Sequence, residues 1–465
     1  MLRRILLILG YLGLTALVIV ATIGLVAYGQ GYEYDVKSGR IIRTALVIIQ
    51  STPSSVPVTI DGRLLKKKTT YRASYKDGSY QFELTKPGYY PWHKTLAVEW
   101  PLVTMAQYAI LVPRQPPLAT LDTRPAIMAQ SISRDHRHLA YVTGGSDGAI
   151  YTLDIPDGKP IKVYTPPKPA ATDQPAETVT GVAWSDDASH LLVMSQLAGQ
   201  PVHHLMAADG SGAIDLTQQY GFNFSGLTFS ASNWQQLYWI SPDGLRRLDV
   251  GAQAVSAVLA DKVSQFQMAG DRVLYVQSSD AARTLWSLDG RGHKQELIPA
   301  LPDSDAYAIT YANYRGTDEL AIVPTKTGVG TLYSDIYGSN PVAKVIARGV
   351  QGAQFSPDAH LLTFTASAAA VTYDLERSDL LGRLVSYQFS DVQDLRSLSW
   401  FDNFHVLMNR GGRLVWAEFD GANSLDLGAV ASGFAPYATA DQRSIVTIRP
   451  DGPVAEQVLQ TTVKP

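Results

Sequence analysis

Hydrophobic and polar positions follow three regimes along this chain, and each predicts a different kind of element. Ile5 to Val26 contains no charged residue over 22 positions. As a helix that run spans about 33 Å, enough for a bilayer core of about 30 Å. From Thr44 to Pro113 the period drops to two. Thr44 to Thr52 is a strand-like run stopped by Pro53, and Val56 to Ile60 is a second, followed by the hairpin dipeptide Asp61-Gly62. Tyr80, Phe82 and Leu84 form the apolar side of a half-buried strand. Lys86-Pro87-Gly88-Tyr89 is a turn, and Thr95 to Val98 pairs back. From Pro117 to Pro465 short apolar runs recur between polar turns at a long, regular period.

The unit of that period is clearest at Gln354 to Phe364. Phe355 closes a strand, Ser356-Pro357-Asp358 has turn chemistry, and Leu361 to Phe364 resumes a strand. Trp184-Ser185-Asp186-Asp187 before Leu191-Leu192-Val193 repeats it, as do turns at Ser133, Ser230, Phe401 and Ala440. Two weaker copies lie around Asp271 and Asn313. The anchors fall at 133, 185, 230, 270, 313, 356, 401 and 440, about 44 residues apart, the period of a four-stranded propeller blade. Most copies carry a further strand ending in an acidic residue, such as Ile150 to Asp154, Leu245 to Asp249, Leu285 to Asp289 and Val371 to Asp374. This arrangement resembles the TolB-type and WD-type β-propellers and covers residues 117–465. It implies an eight-bladed ring, or seven blades if a weak copy is misread. Leu118 to Asp122 has no unit of its own, so it is expected to pair as the outer strand of the last blade and avoid an open sheet edge.

Arg3 and Arg4 precede the apolar run, and Tyr28, Tyr32 and Tyr34 follow it at interfacial positions. Ala27-Tyr28-Gly29 is a poor cleavage site, so the run reads as a signal-anchor with residues 1–30 comprising a cytoplasmic tip and a transmembrane helix. The lipid bilayer is thus a partner through residues 5–26, and the bulk of the chain lies outside the cytoplasm. Ser51, Pro53, Asp61, Gly62, Gly78, Tyr80, Lys86, Gly88 and Tyr89 resemble the pattern of the PEGA domain, a small β-sandwich of bacterial surface proteins. Ser54-Ser55-Val56 departs from it where Gly-Ala is expected. The sandwich is assigned to residues 44–113. Lys66-Lys67-Lys68 is read as an exposed loop, either a solvated turn or a contact for anionic headgroups or an envelope polymer. Val112 to Pro117 is read as a stiff linker and Thr165 to Pro175 as an excursion between the first two blades.

Composition narrows the chemistry. Apolar residues make up 46% and charged residues 17%, with a formal net charge of −3, or −5 once Arg3 and Arg4 are set aside. That balance argues against a nucleic-acid partner. There is no cysteine, which removes disulfides, thiol nucleophiles and thiolate metal sites. Gly144 to Gly148 matches G-x-S-x-G, but it joins two propeller strands where a nucleophile elbow needs a following helix. His203 and His204 are adjacent in a strand and point to opposite faces, so one metal cannot take both. His136 and His138 share a face but flank a basic turn. The Asp residues of the repeat turns lack calcium-loop spacing and are expected to cap their own turns. Trp184, Trp239, Trp286, Trp400 and Trp416 read as inter-blade core rather than a ligand box. No catalytic, cofactor-binding or metal residue is therefore assigned. The expected architecture is all-β: an anchor helix, a PEGA-like sandwich and a propeller that binds an envelope protein or cell-wall glycan. An enzyme acting on glycans through the propeller channel, as lyase or hydrolase, and a structural assembly subunit are the alternatives.

Overall fold

The computed structural model describes residues 2–464 apart from 37–38, 145–147, 156–157, 170–173, 280–281, 390–391 and 453–454, with the backbone alone of 2–8 and 35. Behind one N-terminal apolar helix the described chain is mostly β, with short helices at Leu216–Tyr220 and Leu375–Leu381. It divides into two compact units, Met1–Pro116 with Val463–Pro465, and Pro117–Thr462.

In the first unit, helix α1 (Leu2–Gly29) leaves its apolar side chains uncovered, with Leu9, Leu17 and Leu25 at 60%, 65% and 73% exposure. Its Thr15 and Thr22 hydroxyls donate to the carbonyls of Tyr11 and Val18, both at 2.8 Å, so neither is left bare on the helix surface. Eight strands follow: β1 (Tyr32–Asp35), β2 (Arg40–Thr52), β3 (Pro57–Ile60), β4 (Arg63–Lys68), β5 (Tyr71–Lys76), β6 (Gly78–Leu84), β7 (Trp92–Val98) and β8 (Thr104–Ile110). They form two four-stranded sheets. One is built on β2, which pairs with β1 and β5 antiparallel and with β8 parallel; the other runs β4-β3-β6-β7. Val47, Ile49, Val58, Phe82 and Leu84 meet in the core at 0% exposure. In β7 the alternation is strict: Trp92, Lys94, Leu96 and Val98 point inward. The buried Lys94 places its Nζ 5.6 Å from the centroid of the Tyr108 ring.

Two expectations for this unit need correction. Lys66, Lys67 and Lys68 are not in a loop but in β4, which pairs with β3 alone. The two-residue turn Asp61-Gly62, with φ of 48° and 77°, has the type I′ hand that extends a hairpin, so the chain after it continues as a strand. Lysines on an edge strand also discourage strand addition by another chain. The linker is shorter than expected as well. Leu111 and Val112 are fully buried, and the carbonyl of Val112 accepts from Tyr90 N at 2.9 Å, so the sandwich extends into the proline-rich segment.

In the second unit, the described residues form eight successive four-stranded antiparallel sheets. The first seven span Ile127–Tyr164, Thr178–Asp215, Thr228–Val255, Val263–Leu301, Tyr307–Arg348, Gly352–Gln388 and Leu395–Ala429. The eighth takes three strands from Tyr437–Thr462 and its fourth, β9 (Leu118–Arg124), from the start of the unit. First strands of consecutive sheets lie against each other, as Ile127–Ile132 does on Thr178–Trp184 and Tyr307–Tyr314 on Gly352–Phe355. Apolar cores fill the spaces between sheets. Between the fifth and sixth, Gly330 lets the Phe364 ring approach so closely that a Cβ there would sit 2.6 Å from it.

Seven of the eight repeat anchors fall at the turn between the first and second strand of a sheet; the eighth, Asn313, lies inside the first strand of the fifth sheet, two residues before its turn at Arg315-Gly316. Four of these turns share one network. Ser133, Ser185, Ser356 and Thr439 donate their hydroxyls to Asp135, Asp187, Asp358 and Asp441 at 2.5–2.9 Å. The same hydroxyl oxygens accept a backbone N–H five residues on, from His138, His190, Leu361 and Ser444. The residue three after each hydroxyl (His136, Ala188, Ala359 and Gln442) has φ between 53° and 63°. A left-handed residue is therefore required at one register of the turn, and the Ser/Thr–Asp bonds hold it there without glycine.

Closure is built from several contacts. Strand β9 pairs antiparallel with Glu456–Thr462, and Thr462 N donates to Pro117 O at 2.9 Å. The Glu456 carboxylate accepts from Ile127 N at 2.6 Å, joining the eighth sheet to the first. The Arg124 guanidinium lies 3.8 Å from the Tyr151 ring centroid and pairs with Asp122, which also accepts from the Tyr141 hydroxyl. Ending the chain at Arg449 removes the partner of β9. The expected result is loss of the cooperative melt of the whole ring. Hydrogen exchange that loses protection in residues 430–449 alone would contradict this account of closure.

Candidate functional site

A ring of sheets offers its axis as the natural concave surface. First strands and adjoining turns of the first five sheets line a cavity of about 580 Å³, including Ile132, Arg134, Trp184, Asp186, Met268 and Tyr311. Its wall is knit together by side chains bonded to a neighbouring sheet. Trp184 Nε1 donates to Ser131 O at 3.1 Å. On the same inner ring Gln265 Nε2 donates to Tyr307 O at 2.6 Å, Ser399 Oγ to Pro436 O at 2.6 Å and Gln130 Nε2 to Ala435 O at 2.7 Å. Among the described lining residues the charged side chains are Arg134 and Asp186, and they form an ion pair with each other at the rim.

The candidates picked out by sequence fall in several places. Residues 145–147, including Ser146, lie outside the described residues. The strands His138–Thr143 and Ile150–Asp154 flank them in one antiparallel hairpin, with Thr143 N bonded to Ala149 O at 2.8 Å. His136 Nδ1 bonds to Ala438 O of the eighth sheet at 2.8 Å, whereas His138 Nδ1 bonds to Asp154 at 2.7 Å. The two rings thus have different partners. Among the described residues no three His, Asp or Glu side chains are grouped to hold a metal ion. The turn aspartates accept N–H bonds from their own turns, as Arg137 N does toward Asp135 at 3.1 Å and Ser189 N toward Asp187 at 3.1 Å.

His203 and His204 diverge as strand geometry requires. His204 faces the first sheet, where its Nε2 lies 2.9 Å from Glu177 and its ring 5.2 Å from that of Tyr164. His203 faces the third sheet and the Phe224 ring. Burial would by itself raise the Glu177 pKa, but the bonds from His204 and Tyr164 outweigh it and hold the carboxyl below its ordinary range. Burial, with the Glu177 charge beside it, drives the Tyr164 phenol well above its ordinary value. Glu177 was invisible in the sequence. It follows a proline-rich excursion and belongs to no motif, and the only hint was a histidine in an apolar strand needing a polar partner.

The tryptophans divide. Trp416 is in the core beside Phe401 and His405, and the Trp400 indole bonds to Gln354 O at 3.4 Å. Trp286 stacks on Tyr275, with ring planes 14° apart. Trp184 lines the axial cavity, so for it the core-only expectation is too narrow. Trp239 is fully buried beneath a second cavity, between the second and third sheets.

With the sandwich, the ring and their cavities in view, comparison with known families decides one part of the chain. Residues 44–110 match the PEGA domain. The PEGA match ends at Ile110, the last residue of β8, so it covers the sandwich without β1. No curated protein matches the chain in sequence. Among solved structures the chain is similar to the Dos1 propeller, at 11% identity and a TM-score of 0.48, covering 74% of this chain and 94% of that one. It is similar to the Cps50 (Swd1) β-propeller domain of Myceliophteria thermophila, at 15% identity and 0.41, covering 74% and 99%. It is also similar to dihydro-heme d1 dehydrogenase NirN, at 16% identity and 0.49, covering 68% and 69%. The ring follows from its own strand pairing, closed by β9 in the eighth sheet.

The Glu177 cluster generates a pH prediction. A folded-state pKa below the ordinary value of 4.5 means the carboxylate contributes stability above that pH, and the contribution is lost as pH falls through the folded value. Glu177→Gln should cost about 1–3 kcal/mol at pH 7, the usual range for bonds to a buried charged group. It should also flatten the fall in melting temperature below pH 4.5. Equal slopes for the two proteins in calorimetry would remove Glu177 from that role.

Proposed function

We propose that this chain is a single-pass, membrane-anchored binding scaffold of the bacterial envelope. In this reading the PEGA unit sits next to the membrane, and the propeller outside the cytoplasm presents its surface to a protein or glycan partner. The observation that carries the reading is α1. Leu9–Gly29 is long and apolar enough to cross a bilayer, and none of it is buried against the rest of the chain. About 20 apolar residues left in water need a lipid environment. Arg3 and Arg4 before the span favour a cytoplasmic amino end. Trp100 supports an interfacial seat for the sandwich: its indole donates to Gln30 O at 2.7 Å just past the helix, and the Arg43 guanidinium lies 4.5 Å from its ring centroid.

Binding is favoured over catalysis by the axial cavity. The rival reading, a glycan lyase or hydrolase working through the channel, calls for paired carboxylates or a His–Tyr–Arg set facing the axis. The charged pair Arg134–Asp186 is instead spent on itself. A structural assembly subunit remains distinguishable by self-association of the soluble part.

Two measurements test the proposal together. External protease added to intact protoplasts should digest residues from Gly31 onward, and a chain lacking residues 1–30 should be released as a soluble protein with a cooperative melt. Protection of the propeller until lysis would reverse the orientation. A truncated chain that is insoluble would deny that α1 alone holds the protein to the membrane.

A further inference from the structure

The first unit carries an apolar feature that its own core does not use. Strand β2 begins at Arg40, but its core partners join later: β5 pairs with it from Thr44 on and β8 from Val47 on. Residues 40–43 pair with β1 alone, with Tyr32 opposite Arg43, Glu33 opposite Ile42 and Tyr34 opposite Ile41. Strand β1 and the start of β2 are thus a two-stranded finger that leaves the sandwich at the end where α1 joins it. A two-stranded hairpin on its own is only marginally stable in water.

The base of this finger is clamped to the helix end. Gly31 O accepts from Thr44 N at 2.7 Å and from Thr44 Oγ1 at 3.0 Å. Gly31 has φ 83°, and a Cβ there would collide with Thr44 O, so the joint requires glycine. Trp100 ties in a further element: its Nε1 donates to Gln30 O and its N to Asp77 Oδ1, both at 2.7 Å. The Tyr32 ring meets the Trp100 ring edge-on at 5.9 Å, and the Arg43 guanidinium lies 5.7 Å and 4.5 Å from their centroids. The pair Tyr32–Arg43 is therefore covered by the protein itself.

The next pair on the same face is not covered. Tyr34 and Ile41 stand directly opposite each other and so point the same way. They are 62% and 71% exposed, and Val36, the residue after β1, is 84% exposed. Their place in the chain identifies what covers them. The apolar span ends at Gly29, five residues before Tyr34. Five residues reach at most about 18 Å, and the headgroup layer beyond the hydrocarbon is about 5–8 Å thick on each side. The Gly31 joint keeps the finger from swinging free of the helix end. A tyrosine ring, two branched aliphatic side chains and the exposed Arg40 make up the composition of a membrane–water interface, where rings sit at headgroup level and guanidinium groups meet phosphate.

We propose that the β1–β2 finger is a second membrane contact, in which Tyr34, Val36 and Ile41 enter the boundary between lipid headgroups and acyl chains beside α1 and Arg40 meets lipid phosphate. This inference rests on the reading of α1 as a membrane span. A single helix leaves the sandwich free to tilt about its anchor, whereas a helix and a finger joined rigidly at Gly31 fix that tilt against the bilayer.

The test uses the absence of cysteine, which allows a single nitroxide label at each chosen position. Val36→Cys and Ile41→Cys report on the finger, Leu17→Cys on the span and Lys67→Cys on the exposed strand β4. Each full-length protein is reconstituted into vesicles of phosphatidylethanolamine and phosphatidylglycerol. Collision rates with lipid-soluble oxygen and with a water-soluble nickel chelate then give the depth of the label. The labels at 36 and 41 should lie about 5–10 Å inside the headgroup boundary, the depth of an interfacial apolar face, while the label at 67 stays in water. Either finger position suffices if the other variant does not fold. Finger labels as open to water as the label at 67, with the label at 17 in lipid, would overturn the finger and leave the anchor standing. A label at 17 in water would overturn the anchor reading and the finger with it. Finger labels open to the nickel chelate that broaden one another's spectra, an effect lost on dilution with unlabelled protein, would assign the surface to a second copy of the chain and overturn the proposal.

Discussion

The second unit depends on one constraint: a four-stranded sheet with two apolar faces has no stable form alone, and only a closed ring gives every sheet two neighbours. Among the described residues contiguous cores fill six of the inter-sheet spaces, including the one between the last sheet and the first, where Val446, Ile448 and Val458 meet Tyr141, Tyr151 and Leu153. Closing that space requires a strand from the far end of the unit. Strand β9 supplies it, and the ion pair Arg124–Asp122 and the Glu456–Ile127 bond lock the joint. Each sheet's burial is thus conditional on all the others, which makes a cooperative unit of otherwise local pieces.

The repeated turns and the cavities divide the ring's chemistry between its two ends. At one end the hydroxyl and carboxylate groups of Ser185–Asp187, Ser356–Asp358 and their equivalents are used to hold left-handed residues in place. Those aspartates are committed to backbone N–H groups and have little capacity left for a ligand. At the other end, the connecting segment Gly221–Gly226 sets the Phe222 and Phe224 rings against Trp239. Structural demand thus concentrates polar groups in the turns.

In the first unit the same economy operates on an open sandwich. The tight turn at Asp61-Gly62 sets the register of β3 and β4, and Gln81 N bonds back to Asp61 Oδ1 at 2.9 Å. The exposed lysines of β4 guard an edge that no ring closes. The buried Lys94 shows that strict alternation outranks polarity in β7: the position must point inward, and the Tyr108 ring accommodates the ammonium.

Whatever is decided within a few residues could be read from the order of amino acids. The apolar run of α1, the turn at Asp61-Gly62, seven of the eight first-to-second-strand turns and the orphan strand at Leu118 were all legible, because turn chemistry, periodicity and the need to pair an edge act locally or by counting. The divergence of His203 and His204 was legible for the same reason, since strand neighbours must point apart. The meetings of residues far apart in the chain come from the fold: Glu177 with His204 and Tyr164, Arg134 with Asp186, and Trp239 with the Gly221–Gly226 segment. It also decided that Lys66–Lys68 lie on an edge and that Val112 is core. These outcomes depend on which sheet stands beside which and at what spacing, a property of the closed ring and the packed sandwich that no stretch of the chain carries alone.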